Sequence, residues 1–238
     1  MKTIKVMLVL ALIMATATSE AQIRRTVYAR GEVTTENRSA GNFHSLKVST
    51  GIDVYLSQGE GGTIRVEADE NLHEYIITEI KNGVLNVYTE ANIRNAKSRK
   101  VYVTMSEIRS ITTSSAGDVL GVTPLVADIL TLSTSSAGDI NIEVQADEID
   151  ASTSSSGDIT LKGSADKFTG TTSSAGDIKA MDFTVREAVL SASSAGDIKI
   201  TVTERLKARA SSAGDIRYSG NPEYVDAHSS SAGSIRRY

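Results

Sequence analysis

A six-residue phrase, Ser-Ser-Ala-Gly-Asp-Ile, recurs along this 238-residue chain and constrains its fold more than any other feature. It stands unaltered at 135–140, 173–178, 193–198 and 211–216. Three near-copies join it: 114–119 ends in Val119, 154–159 has Ser156 for Ala, and 230–235 has Ser234 for Asp. The glycines are Gly117, Gly138, Gly157, Gly176, Gly196, Gly214 and Gly233, separated by 21, 19, 19, 20, 18 and 19 residues. A fixed period near 19 residues is the mark of a repeat architecture, and it outranks local secondary-structure propensity.

Aligning the copies on their glycines separates inside from outside. Eight residues before the Gly stand Leu130, Ile149, Phe168, Ala188, Leu206 and Val225. Six before stand Ile111, Leu132, Ala151, Gly170, Leu190, Ala208 and Ala227, and four before stand Thr113, Thr134, Thr153, Thr172, Ala192, Ala210 and Ser229. Two after is always Val or Ile. The positions between are mostly polar. Such period-two alternation predicts strands with one buried face. A 19-residue coil cannot bury that face alone, whereas coils stacked on one another can, each strand pairing with the one above. The expected fold class is therefore all-β: a parallel β-helix or β-solenoid over residues 111–238, with like residues about 4.8 Å apart. The inward residues shrink from Leu or Phe to Ala and Thr, which predicts a narrow corner at the phrase. There the Ser two before each Gly is expected to point inward. The Gly itself marks a bend that needs positive φ or has no room for a Cβ.

Upstream, residues 42–110 read as an irregular all-β N-terminal cap. Phe43, Leu46, Val48, Ile52, Val54 and Leu56 mark two strands around Gly51, and Ile64 and Val66 a third. Residues 70–75 have helical spacing. Asn82-Gly83, between two strand-like runs, is a type I′ hairpin signal. Residues 100–105 read as a further strand, and the polar residues 22–41 as an extended lead-in. Residues 1–21 have the form of a secretory signal peptide: Lys2 and Lys5, an apolar run from Val6 to Ala15, then Ser19-Glu20-Ala21 as a small-x-small cleavage site. With no Cys, neither a disulfide framework nor a lipid-modified Cys is available. Aromatics make up 5% of the chain, so the interior must be aliphatic. A net charge of -4 gives no basic stripe and argues against a nucleic-acid partner. The run Arg94, Lys97, Arg99 and Lys100 reads as a solvated loop. No second long apolar segment follows the leader, so no membrane span is expected in the mature chain.

The Gly-Asp-Ile coils, with Gly51-Ile52-Asp53 after an alternating strand, resemble the bacterial head GIN domain family of adhesin-like proteins, named for a Gly-Ile-Asn motif near its start. The resemblance covers residues 42–238. Asp53 stands where the motif has Asn, and Asp can make the same side-chain-to-backbone turn bond. The resemblance implies a β-helix-like fold and an exported protein typical of Bacteroidetes. It supplies no catalytic residues.

The most suggestive chemistry is the carboxylate column Asp118, Asp139, Asp158, Asp177, Asp197 and Asp215. Stacked in register, neighbouring charges repel by about 1 kcal/mol in water and about 3 at an effective dielectric of 20. Backbone N–H groups at the corner can compensate, as can Lys179, Lys199, Arg217 and Arg236 two residues on. The first three coils carry Leu120, Asn141 and Thr160 there instead, which leaves Asp118, Asp139 and Asp158 as a candidate cation position. A second outward surface is a hydroxyl grid that includes Ser133, Ser152, Thr171 and Ser191. Arg209 and His228 interrupt it. No catalytic, cofactor-binding or metal-ligating residues are assigned, and no cofactor is implied. The expectation is an exported, non-enzymatic, adhesin-like binding or structural module of the cell envelope, in the periplasm or at the surface. Its partner would be a glycan or a protein. The alternative is a polysaccharide-acting β-helix enzyme or its accessory protein. The last coil, running to Ile235-Arg236-Arg237-Tyr238, has an open edge that invites self-association.

Overall fold

The computed structural model describes residues 24–238; the leader expected over residues 1–21 lies outside them. The described chain is built almost wholly of strands. In the N-terminal part these are β1 Thr26–Tyr28, β2 Val33–Ser39, β3 Ser45–Ser49, β4 Asp53–Gln58, β5 Thr63–Asp69, β6 Ile76–Lys81, β7 Val84–Thr89, β8 Asn92–Arg94 and β9 Arg99–Met105. The repeats supply β10 Ser110–Ser114, β11 Asp118–Gly121, β12 Leu125–Thr134, β13 Ile140–Thr153, β14 Asp158–Thr172, β15 Asp177–Ala192, β16 Asp197–Ala210, β17 Asp215–Ser219, β18 Tyr224–Ser229 and β19 Ser234–Arg237.

The repeats form the expected solenoid. Every pairing from β10 to β19 is parallel and in register along the copies, with Leu130 beside Ile149, Ile149 beside Phe168 and Phe168 beside Ala188. Each coil has a first wall before the repeated phrase and a second wall after it. The phrase closes one edge tightly, and a rounded bend closes the other. Differences in coil length are absorbed at that bend, where the register slips between Thr160 and Gly163 and between Ala180 and Thr184. The aliphatic columns are buried: Leu130, Leu132, Ile149, Ile159, Ile178, Ile198 and Leu206 are at most 1% exposed.

The corner differs from the expectation in two ways. The Ser two before each Gly points outward and is exposed, as is the Ala after it. These two residues, not the Gly, carry the positive φ, between 47° and 64° in all seven copies. The Gly N–H donates to the carbonyl of the phrase's first Ser at 2.8–3.1 Å. The phrase is thus a type I′ turn made without its usual Asn-Gly. Ala in this conformation costs about 1 kcal/mol. Stacking compensates, because the turn Ala (Ser156 in one copy) donates its N–H to the next coil: Ala116 to Ser136 at 3.1 Å, Ala137 to Ser155 at 3.2 Å and Ala195 to Ser212 at 3.1 Å. The Gly is required by space. A Cβ on Gly157 would lie 2.6 Å from the Thr134 hydroxyl, and one on Gly214 2.5 Å from the Ala192 carbonyl. The outward Ser follows from the same geometry, since the two central residues of so tight a turn project away from the core.

The N-terminal part joins the same stack. β3 and β4, with the turn between them, form a coil in register with the first repeat: Ser49 pairs with Ser114 and Asp53 with Asp118. On its other side lie β7 and β9, parallel to β3 and β4. The chain therefore lays down an inner layer first, builds the outer one, then returns to start the repeats. Beyond β7 and β9 the direction reverses. β6 is antiparallel to β7, β5 to β9, and β2 to β5. The β6–β7 hairpin turns at Asn82 and Gly83 with φ of 53° and 75°, as the Asn-Gly signal predicts. A single 3-10 turn, Glu70–Leu72, buries Leu72 completely across the end of the core. Residues 24–41 contain two paired strands, β1 parallel to β8 and β2 along β5. The sequence hid them because β2 is an edge strand, almost fully exposed on both faces, and so shows no alternation.

Candidate functional site

The outer face of the second wall carries two adjacent ladders of side chains. One is Lys100, Asp53, Asp118, Asp139, Asp158, Asp177, Asp197, Asp215 and Ser234, with flanking registers that pair Asp53 with both Lys100 and Asp118. Two residues along each strand runs the other: Arg65, Tyr102, Tyr55, Leu120, Asn141, Thr160, Lys179, Lys199, Arg217 and Arg236. The sequence showed the repeat part of both. It did not show that Tyr55 and Tyr102 continue the second ladder, because those strands are out of sequence order and lack the phrase.

The carboxylates are compensated in two ways along the wall. In the early coils the Asp118 carboxylate accepts the N–H of Asp139, and that of Asp139 accepts the N–H of Asp158, each at 3.1 Å. In the later coils that N–H goes instead to the Gly carbonyl of the coil before: Asp177 to Gly157, Asp197 to Gly176 and Asp215 to Gly196, at 3.1–3.3 Å. Cations then meet the carboxylates. Lys179 lies 2.5 Å from Asp158 and 3.8 Å from Asp177, and Arg217 and Arg236 lie 2.8 and 3.2 Å from Asp215. The hydrogen bond that the Lys179 ammonium donates to Asp158 holds it above its usual range. Partial burial pushes the Asp118 carboxyl up, reinforced by the charges of Asp139 and Asp53. Asp177 is raised by burial and by Asp158. Among the described residues, no group of three or more His, Cys, Asp or Glu is arranged to hold a metal ion. At Asp118 and Asp139 the carboxylates act as backbone caps.

At the N-terminal end of the wall the second ladder becomes aromatic. The Tyr55 and Tyr102 rings stack with centroids 5.1 Å apart, and the Arg65 guanidinium lies 3.9 Å from the Tyr102 centroid. On the other side of Tyr55 is a shallow depression of about 260 Å³, lined by Asp53, Tyr55, Asp118, Leu120, Asp139 and Asn141 among others. Leu120 is 42% exposed. An apolar patch edged by carboxylates and an amide can hold a ligand with both apolar and hydrogen-bonding faces.

The other predicted features are placed plainly. The hydroxyl grid lies on the outer first wall, where Ser152 and Ser133 hydroxyls are 3.3 Å apart. Arg209 and His228 both turn to Asp226, at 3.1 and 2.9 Å. The Arg209 bond holds the Asp226 carboxyl below its usual range. The last coil is exposed, with Tyr224 51% and Val225 43% accessible. No helix among the described residues is long and apolar enough to cross a membrane.

Comparison with known proteins gives a consistent fold. A family model described as "Putative auto-transporter adhesin, head GIN domain" matches residues 42–222. Three solved structures share the architecture. A putative adhesin from Bacteroides fragilis NCTC 9343 superposes with a TM-score of 0.84 at 21% identity, covering 89% of this chain and 100% of its own. A putative adhesin from Parabacteroides distasonis ATCC 8503 gives 0.75 at 23%, covering 90% and 100%. A protein from that same strain described as a putative lipid binding protein gives 0.71 at 21%, again covering 90% and 100%. No curated protein matches the chain.

Proposed function

The chain belongs to the head GIN domain family, and on that premise we propose that it is an exported, non-enzymatic, adhesin-like module of the cell envelope. The observation that carries this reading is the outer second wall. From Tyr102 and Lys100 onward its two side-chain ladders run in register across a parallel sheet. A sheet of this kind is rigid and presents groups at a fixed repeat of about 4.8 Å, which suits an extended partner. The leader-like residues 1–21 support export. The contact patch is the Tyr55 depression, where Leu120 supplies apolar area and Asp118, Asp139 and Asn141 supply polar contacts. A glycan or an extended protein segment has the matching chemistry.

The polysaccharide-enzyme reading is less well supported. It needs an acid and a base converging on one cleft, and Arg209 and His228 instead share Asp226 on an open surface. A glycan array, with host-matrix proteins printed beside the sugars, tests the binding reading. Signal that falls in Tyr55→Ala and Asn141→Ala supports the wall as the contact surface. Silence against both sets argues against an adhesin. Protease shaving of intact cells tests surface exposure, since a periplasmic protein survives it.

A further inference from the structure

Gly51, the first residue of the Gly51-Ile52-Asp53 motif, sits against Arg99 beside a second cavity, on the turn edge of the stack and with no lining residue in common with the Tyr55 depression. The turn at residues 49–52 is aligned with the repeated turns, so that Gly51 occupies the position of Ala116. All seven repeats have Ala or Ser there. Gly51 has φ of 68°, and a Cβ on it would lie 3.3 Å from the Arg99 guanidinium. The glycine therefore gives Arg99 room to lie against the turn. Arg99 and Arg24 line a cavity of about 470 Å³ together with Thr50, Thr89, Ala91, Asn92, Ile93 and Ser115. Arg99 is half-buried. Among the described residues no Asp or Glu lines the cavity, and neither arginine joins any ion pair. In a chain of net charge -4, two guanidiniums around one space without an acid form an arrangement that an anion relieves.

We infer that this cavity is a binding site for an acidic saccharide, with the sugar carboxylate on Arg99 and Arg24. The guanidinium fork matches a carboxylate and makes charge-assisted bonds to it. The remaining lining suits a sugar ring rather than a bare anion. Ser115 carries a hydroxyl and Asn92 an amide, while Ala91 and Ile93 offer an apolar floor to ring C–H groups; the Thr50 hydroxyl is engaged with the Ser49 carbonyl and the Thr89 N–H and braces the wall. The basic run 94–100 is thus divided by the fold. Lys97 donates to the Gly31 carbonyl at 3.2 Å and Lys100 approaches Glu67 at 3.9 Å, whereas Arg99 faces the cavity.

Calorimetric titration of the purified chain with glucuronate, acetate and glucose tests this directly. Glucuronate is expected to bind at least about tenfold more tightly than acetate, with no binding of glucose. Arg99→Gln is expected to weaken glucuronate about tenfold or more, the loss of one charge-assisted pair. Acetate binding as tightly as glucuronate would overturn the saccharide assignment. An unchanged affinity in Arg99→Gln would overturn the site. If Arg99→Gln lowers the melting temperature, Arg24→Gln and Asn92→Ala carry the test, and unchanged affinity in both sinks it. Lys207→Ala, on the outer first wall and away from both cavities, is expected to keep its glucuronate affinity.

Discussion

At the N-terminal end of the stack, strands run antiparallel to the coil beneath them, β6 on one wall and β5 and β2 on the other. Leu72 and Ile76 close the core there and are fully buried. At the other end β18 and β19 each have, among the described residues, a partner on one side only. The sequence at the two ends differs accordingly. The closed end has broken periodicity, a 3-10 turn and the polar edge strand β2. The open end keeps the repeat pattern to its last coil but loses the burial that the pattern implies. Val225 occupies the column of Leu206, which is fully buried, yet is itself 43% exposed. In a solenoid, burial belongs to a residue's neighbours in the next coil rather than to the residue.

The largest effect that exposes this difference is a matched truncation. Leu206→Ala is expected to cost about 3 kcal/mol, as is usual for a buried leucine. Val225→Ala, in the same column, is expected to cost under about 0.5 kcal/mol. Denaturant unfolding of both variants measures the contrast, and equal losses would show that something covers the last coil in solution.

A second pair probes the corner. A Cβ on Gly176 would lie 2.5 Å from the Thr153 hydroxyl and 3.1 Å from the Gly157 carbonyl, between coils that cannot separate. Gly176→Ala is therefore expected to cost about 2 kcal/mol or more. Gly233→Ala meets the Ala210 carbonyl at 2.5 Å, but no described residue pairs with its coil on the far side. There the terminal coil is expected to loosen instead, with faster hydrogen exchange over residues 224–237 and little change in melting temperature.

How much of this was legible in advance follows from the same contrast. The repeats were readable because each strand's partner is the next copy of itself, so that the columns Leu130 to Leu206 and Ile140 to Ile216 gave register and facing at once. The corner was misread at the Ser two before each Gly. Alternation continues smoothly through the phrase in sequence, whereas a type I′ turn at Ser115 and Ala116 interrupts it in space. Ser and Ala at positive φ carry no local signal, because only cross-coil hydrogen bonds make them favourable. The Tyr55 depression and the Arg99 cavity were invisible for another reason. The depression combines β4 with β11 and with Asp139 and Asn141, and the cavity combines the turn before β4 with β8, β9 and the first repeat; the chain visits those layers out of stacking order.

The turn strain gives the third test, and a smaller effect. Ala175 sits at φ of 63°. Replacing it with Gly relieves about 1 kcal/mol of left-handed strain but adds freedom to the unfolded chain. Ala175→Gly is expected to gain about 0.5 kcal/mol net, and Ala232→Gly in the terminal turn less, since fraying already releases the strain there. Loss of stability in Ala175→Gly would mean that the turns are held by more than the hydrogen bond from each turn residue to the next coil.

The smallest expected effect separates the ends electrostatically. Near the closed end Asp118 joins no ion pair among the described residues; near the open end Asp215 is held by Arg217 and Arg236. Burial and the charges of Asp139 and Asp53 raise the folded-state pKa of Asp118 above its usual value near about 3.9. The folded state therefore binds this proton more tightly than the unfolded chain does. Stability conferred by the protonated form is lost as pH rises through the window between the unfolded and folded values. At neutral pH the Asp118 charge is thus a cost. Asn keeps the oxygen that accepts the Asp139 N–H while removing that charge. Asp118→Asn is expected to stabilise by a few tenths of a kcal/mol at pH 7, a small figure because solvent screens the column. The gain should vanish by about pH 3, where the wild-type carboxyl is neutral. Asp215→Asn, which breaks pairs at 2.8 and 3.2 Å, is expected to lose stability at pH 7 by up to about 1 kcal/mol. Melting temperatures of both variants between pH 3 and 7 decide the point. If the two respond alike, the carboxylate column is one uniform ladder, and the division between capped and cation-paired coils carries no energetic weight.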